Sequence, residues 1–420
     1  MVYKITPPQN NLGHFEVKLP ASKSLSNRAL IINALSAQSQ NIENLAVCDD
    51  TDVMLAALRS QNNSYVAVDV HGAGTAMRFL TAYFSMKREM REITGSARMI
   101  DRPIGILVDA LRELGAKISY FTGREGYPPL IVGGRHMHGG EITLPANVSS
   151  QFVSALLMIA PCLNHGLIIN LKDNIVSRPY IDMTVSLMRR YGAKVQWRYG
   201  NKLIVEDTGY NAIEYTVEND WSAASYWYEI VALLPQGSCT VVLPGLDAES
   251  IQGDSKVAKY FKAFGVETKY TKEGVEITKG NGGVQTHLLD LDLSGEPDLA
   301  QTLVATCCAL GVNFRFMGLA NLRIKETDRI EALKTEFAKF GFVIKDDFDD
   351  TIYWDGEKKE PQSKIKVTTY NDHRMAMCLA PLSIVAGDIL IDDPVVVEKS
   401  YPGYWRDLQS AAFGVETVEE

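Results

Sequence analysis

Two kinds of predicted helix alternate along this chain, six times over, and few architectures accommodate that order. The first kind is apolar on nearly every face and rich in Ala, Ser and Met: 24–35, 74–82, 150–160, 221–226 onward, 298–310 and 373–380 onward. A helix apolar all round has to be buried. The second kind is amphipathic and usually ends in Gly ahead of a short alternating strand: 103–115, 179–192, 255–265, 327–341 and 404–414. Glycine past the last turn is the expected C-cap, and the alternation after it reads as strand. Segment 51–60 is a degenerate first copy, with Gln61 and two Asn where the glycine would sit. Most copies lie about 75 residues apart, longer than a solenoid repeat and suited to a small α/β unit.

At 420 residues the chain is too long for one ordinary core. Six units over two domains gives three units each, with buried helices inside and sheets outside. The break is expected between the third and fourth copies, with a crossing near Glu218-Asn-Asp220. The first strand, within 2–19, groups with the C-terminal half. The expected domains are therefore 1–20 with 219–420, and 21–218.

Composition narrows the function classes. A net charge of −9 argues against a general nucleic-acid partner, though local basic clusters can still hold a small anion. Six cysteines show no C-x-x-C pair, so free thiols in a reducing compartment are expected. No stretch is apolar for the length of a membrane span, and the N-terminus lacks a signal or transit pattern. Cytoplasmic residence without a membrane partner is the expectation.

The chemistry gathers at helix starts. In Lys325-Glu-Thr-Asp-Arg329, Asp328 and Glu331 read as a capping box, which starts a helix near Thr327. Two cations and Glu326 then crowd that start, where free N–H groups and the helix dipole already favour anions. Lys23, Ser24 and Arg28 surround the first buried helix start. Gly72-Ala-Gly74 and Arg78 surround the second, and Ser149, Ser150 and Gln151 open the third. Arg102 precedes Pro103, and Ser177-Arg178 precede Pro179; both prolines suit a first helical position. Asp298 follows Glu296-Pro297, and His373-Arg374 follow Asn371-Asp372. One Ser is only a cap and one Arg only a surface charge. Cations or hydroxyls at nearly every start form an anion trap once those starts converge. No P-loop, dinucleotide fingerprint, metal-ligand spacing or nucleophile elbow is present. Acid–base chemistry on a polyanion held by Arg and Lys remains, with Asp298, Glu326, Lys399 and His373 as proton carriers.

These residues carry a resemblance. Ser22-Lys23-Ser24 with Ser26-Asn27-Arg28, Gly74-Thr-Ala-Met-Arg78, Arg98-Met-x-x-Arg102-Pro103 and Ser149-Ser-Gln151 come first in order. Ser177-Arg-Pro-Tyr180, Pro297-Asp298, Lys325-Glu-Thr-Asp-Arg329 and Asn371-Asp-His-Arg374 follow. Together they resemble the 5-enolpyruvylshikimate-3-phosphate synthase family over essentially the whole chain. The resemblance implies two inside-out α/β domains, each of three βαβαββ-type units, with buried helix N-termini facing an inter-domain cleft. It implies transfer of the enolpyruvyl group of phosphoenolpyruvate to the 5-hydroxyl of shikimate 3-phosphate, through a tetrahedral intermediate, with release of phosphate. That step lies on the route to chorismate and aromatic amino acids. No metal or cofactor is implied, and a monomer is expected.

The resemblance also distributes roles. Lys23, Ser24 and Arg28 would contact shikimate 3-phosphate; Ser149, Ser150, Gln151 and Ser177 would ring its phosphate, with Tyr180 nearby. Asp298, Asn321 and Lys325 would hold the ring hydroxyls. Lys23, Gly74, Arg102, Gln151, Arg329, Arg374 and Lys399 would bind phosphoenolpyruvate, and His373 counts among the substrate-binding residues. Asp298 looks like the base and Glu326 like the acid, with Lys23 and Lys399 in the catalytic set; Lys399 assists the leaving phosphate. Gly72 and Phe79 stand where many members have Asn and Pro. Gly74 is kept, so glyphosate is expected to compete with phosphoenolpyruvate. Two rivals are weighed: the sister transferase acting on UDP-N-acetylglucosamine, and a non-catalytic anion-binding scaffold.

Overall fold

The structure is a computed structural model that describes residues 1–9, 11–60, 65–133, 137–147 and 149–418. The chain divides into two compact units. One is Met1–Pro20 with Glu218–Glu420, the other Ala21–Val217. Glu218, grouped from sequence with the second, belongs to the first. Its carboxylate accepts from Trp221 Nε1 and the Asp247 amide on one oxygen, and from Ser250 Oγ and Gln252 Nε2 on the other, at 2.7–2.9 Å. Four bonds into one unit decide its membership.

The first unit holds three four-stranded sheets. In Leu288–Asp292, Asn313–Met317, Ile352–Trp354 and Lys345–Asp346, in that spatial order, the first pair is parallel and the next two antiparallel. A parallel pair needs a crossover, and the buried helix Ala300–Leu310 supplies it. The amphipathic helix Arg329–Lys339 then leads into the closing hairpin. The sheet around Cys239–Pro244 repeats the pattern with Gly13–Glu16 as its parallel partner. The sheet around Ile389–Asp392 repeats it with Val2–Thr6 in the third position and Gly414–Val418 in the fourth. The N-terminal strands thus complete two sheets of the C-terminal half.

All three buried helices share one apolar core, including Trp221, Trp227, Leu303, Val304, Met375 and Leu379, each at 0% exposure. The helix Trp221–Leu233 buries every residue except Ser222. Glu229 is caught in this core, and among the described residues neither carboxylate oxygen has a hydrogen-bond partner. Burial pushes its carboxyl far above the usual range.

The second unit repeats the pattern twice. Tyr65–Asp69, Met90–Thr94, Leu130–Gly133 and Lys117–Tyr120 form one sheet around the helix Gly74–Ser85. His138–Pro145, Asn164–Lys172, Lys202–Val205 and Val195–Arg198 form the other around Ser150–Ile159. The degenerate copy is reduced to the parallel pair Ile42–Glu43 and Tyr215–Thr216, with helices Lys23–Leu35 and Asp49–Arg59. Gln61, Asn62 and Asn63, where its glycine was expected, lie outside the described residues.

Four expected C-cap glycines, Gly115, Gly192, Gly265 and Gly341, take φ from 80° to 97°, the region that favours glycine. Three expectations fail. The last amphipathic helix ends at Ser410, and Ala412 (φ 58°) makes the left-handed turn, while Gly414 opens a strand. Segment 255–265 winds mostly as 3-10 helix around one α-turn. Tighter winding lines up residues three apart, and it sets Phe261 edge-on to Phe264 at 5.2 Å, both fully buried. Pro103 falls outside its helix, because the Ile104 amide donates to Gly126 O and the helix begins at Gly105.

Candidate active site

In the first unit the candidate residues converge on Arg329, whose surface is 1% exposed. Asp328 caps its helix, accepting from the Ile330 and Glu331 amides at 3.1 Å. The helix therefore starts two residues later than Thr327. Glu331 turns to Lys334 at 2.9 Å, so the expected box is made on its Asp328 side. This fixes Arg329 at the first helical position, with its guanidinium turned inward. Nε donates to Asp372 at 2.7 Å, Nη1 to Asp298 at 3.0 Å, and Nη2 to Glu326 at 3.0 Å. Burial alone would lower its basicity, but Asp372, Glu326 and Asp298 together raise it well above the ordinary arginine value.

The second oxygens of the carboxylates extend the network. Asp298 Oδ2 accepts from Arg374 Nη2 at 3.0 Å, and Lys325 Nζ stands 3.8 Å from Oδ1. Glu326 Oε1 accepts from Lys399 Nζ at 2.9 Å. Asp298 thus lies among three cations, Arg329, Arg374 and Lys325, and Glu326 between two, Arg329 and Lys399. Asp372 also caps the helix His373–Leu379 through the Arg374 amide at 2.9 Å. Tyr370 and Asn371, both at φ 55°, turn the chain into that cap, and such backbone strain often gathers at sites. His373 is 2% exposed, its Nδ1 3.7 Å from Asp372. Asn321 lies in the 3-10 turn Ala320–Ile324 that delivers Lys325.

Two members of this network escaped the sequence reading. Asp372 looked only like a cap, yet it makes the shortest contact to Arg329. Asp254 carries no recognisable signal. It is 4% exposed and accepts from Ser222 Oγ, and among the described residues its Oδ1 has no hydrogen-bond partner. Burial first, then the Asp298 charge, push its carboxyl up from 3.8 to about 7, against Arg374 and Ser222. The folded protein keeps a proton there that the unfolded chain releases. Stability therefore falls as pH rises from about 4 to about 7 and levels off above. Asp254→Asn carries no such proton. Its melting temperature relative to the unsubstituted protein is expected to rise steadily across that window. A difference independent of pH would count against the raised carboxyl.

In the second unit the geometry is more dispersed. Ser22 caps the helix Lys23–Leu35, and Lys23 Nζ lies 3.4 Å from Asp50. Ser24 carbonyl accepts from Arg28, which is 2% exposed. Ser149 caps the helix Ser150–Ile159 through the Gln151 amide at 3.3 Å. Gln151 Nε2 reaches Thr75 Oγ1 at 3.2 Å, tying this helix start to that of Gly74–Ser85. Gly74 packs under Arg102: an added Cβ would meet Nη1 at 2.7 Å. Ser177 sits at φ 53° and does not cap its helix. Tyr180 places its ring centroid 6.0 Å from Arg28, and Phe79 places its own at 5.3 Å. Arg78, by contrast, serves the fold, with Nη2 bonding Pro103 carbonyl at 2.9 Å.

The sequence model of the family described as EPSP synthase (3-phosphoshikimate 1-carboxyvinyltransferase) matches residues 9–64 and 59–408. The chain belongs to the EPSP synthase family. A family member from Bacteroides fragilis strain YCH46, named 3-phosphoshikimate 1-carboxyvinyltransferase, is 52% identical over 404 residues, covering 96% of this chain and 97% of its own. One of the same name from Shewanella pealeana is 35% identical over 421 residues, covering 94% and 96%. Among solved structures, an EPSP synthase from Acinetobacter baumannii shares the α/β fold at a TM-score of 0.79 and 20% identity, over 99% of this chain and 100% of that one. Among the described residues no helix is long and apolar enough to cross a membrane.

Proposed function

We propose that this EPSP synthase family member transfers the carboxyvinyl group of phosphoenolpyruvate to the 5-hydroxyl of shikimate 3-phosphate and releases phosphate. Membership in the family supports the reaction class. The observation that carries the reading is the Arg329 network, where two carboxylates are held among Arg329, Arg374, Lys325 and Lys399.

Asp298, facing Arg329, Arg374 and Lys325, takes the proton of the attacking hydroxyl as its oxygen bonds to C2 of phosphoenolpyruvate. Glu326 delivers a proton to the methylene carbon, giving the tetrahedral adduct. Glu326, now a carboxylate, takes a methyl proton back as the C2–O bond to phosphate breaks, and Lys399 balances the leaving charge. Glu326 can act as an acid only after its contacts to Lys399 and Arg329 slacken. An incoming phosphate and carboxylate compete for those same cations, so donor binding itself prepares the acid. Arginine forks fix the two anions by two-point contacts. Proximity and preorganised charge supply the rest of the acceleration.

Lys23, Ser24, Arg28, Ser149, Ser150, Gln151, Ser177 and Tyr180 are assigned to the acceptor. Lys23, Gly74, Arg102, Gln151, Arg329, Arg374 and Lys399 are assigned to the donor, and His373 to substrate binding. Asp298, Asn321 and Lys325 are assigned to the acceptor hydroxyls. Free cysteines, five of the six buried, suit a cytoplasmic enzyme. The test is phosphate release from phosphoenolpyruvate with each acceptor in turn. Release with shikimate 3-phosphate is expected. Release with UDP-N-acetylglucosamine instead would assign the sister reaction, and none with either would leave an anion-binding scaffold.

A further inference from the structure

Arg28 differs from Arg329 in one respect. Arg329 is matched by three carboxylates, whereas among the described residues Arg28 makes no ion pair. Its hydrogen bonds all go to neutral groups. Nε donates to Thr184 Oγ1 at 2.7 Å, Nη1 to Ser24 carbonyl at 2.9 Å, and Nη2 to Ser154 Oγ at 3.4 Å and Tyr180 carbonyl at 3.3 Å. Burial pulls its basicity down to about 10, which is the cost of a cation lacking a counter-ion. An anionic ligand would relieve that cost, so the direction in which Arg28 is aimed matters.

Thr184 and Ser154 control the aim. Both are fully buried. They come from separate helices, Arg178–Arg190 and Ser150–Ile159, and neither carries charge. Thr184 Oγ1 lies 3.0 Å from Ser154 Oγ and 2.9 Å from Tyr180 carbonyl. Its lone pairs take the Arg28 Nε proton while its own proton is spent on one of those two oxygens. As a β-branched residue on a helix, Thr184 has few side-chain rotamers to choose from. The guanidinium is thereby held in plane by hydroxyls from two helices other than its own.

We propose that the Thr184–Ser154 hydroxyl pair positions Arg28 for the acceptor anion. The inference rests on the assignment of Arg28 to shikimate 3-phosphate. Thr184→Val keeps the shape and removes the acceptor oxygen. A hydrogen bond to a charged group typically carries enough free energy that its loss weakens binding about tenfold or more.

The test is initial-velocity kinetics with both substrates varied, together with direct titration of shikimate 3-phosphate. Thr184→Val and Ser154→Ala are each expected to raise the acceptor KM and Kd about tenfold, with much smaller changes in the phosphoenolpyruvate KM and in kcat. Thr184→Ser, which restores the oxygen, is expected to recover most of the affinity. Equal rises in both KM values, or a Thr184→Ser variant as weak as Thr184→Val, would overturn the proposal. Arg28→Lys separates the two layers. If it leaves the acceptor KM unchanged, the assignment of Arg28 fails. If it raises that KM while Thr184→Val and Ser154→Ala do not, only the positioning role fails.

Discussion

Asp298→Ala is expected to lower turnover by about 10²- to 10⁴-fold, the usual contribution of one general acid–base group. Shikimate 3-phosphate should still bind. The side chain occupies a position no neighbour can take over. Its Oδ1 accepts from Arg329 and its Oδ2 from Arg374. The neighbouring carboxylates Glu326 and Asp372 already bond Arg329 themselves. Asp298→Asn serves as the sharper control, since it keeps the shape and loses only the basic oxygen. Titration of the acceptor beside single-turnover phosphate release separates binding from chemistry. Turnover within tenfold of the unsubstituted enzyme in both variants would remove Asp298 from the proton transfer.

The second large effect falls on stability. Arg329→Met strips the counter-charge from Asp372, Asp298 and Glu326, two of which are 15% exposed or less in their side chains and one fully buried. Breaking a buried ion pair by removing one partner costs about 3–5 kcal/mol. For a unit of this size that lowers the melting temperature by roughly 6–20 °C. Activity is lost with it. Arg329→Lys keeps the charge but cannot reproduce the fork, so it should fall between. Thermal unfolding followed by circular dichroism reads the effect, and a shift under 2 °C would mean that Arg374, Lys325 and Lys399 carry the three carboxylates alone.

The fold was legible because its signals are local. Apolar helices read as buried, and the structure buries every residue of His373–Leu379 and all but one of Trp221–Leu233. Glycine marked four helix ends because only a left-handed residue continues the chain there. The reading slipped where a nonlocal bond overrode a local preference. Gly126 carbonyl draws Ile104 out of the helix that Pro103 suggested, and paired phenylalanines tighten 255–265 into 3-10 turns. The site shows the same division. Lys325, Glu326 and Arg329 announce themselves within five residues. Asp254 and Thr184 do not, because each matters only through a partner far off in sequence.

The order of the letters alone determined the alternation of helices, the family and the identities of the charged groups, because each depends on spacing within a few turns of chain. Tertiary structure alone decided which charges are matched. It gave Arg329 three carboxylates and Arg28, among the described residues, only hydroxyls and carbonyls as hydrogen-bond partners, since ion pairing falls off over a few ångströms and those distances are set by packing between segments up to 156 residues apart.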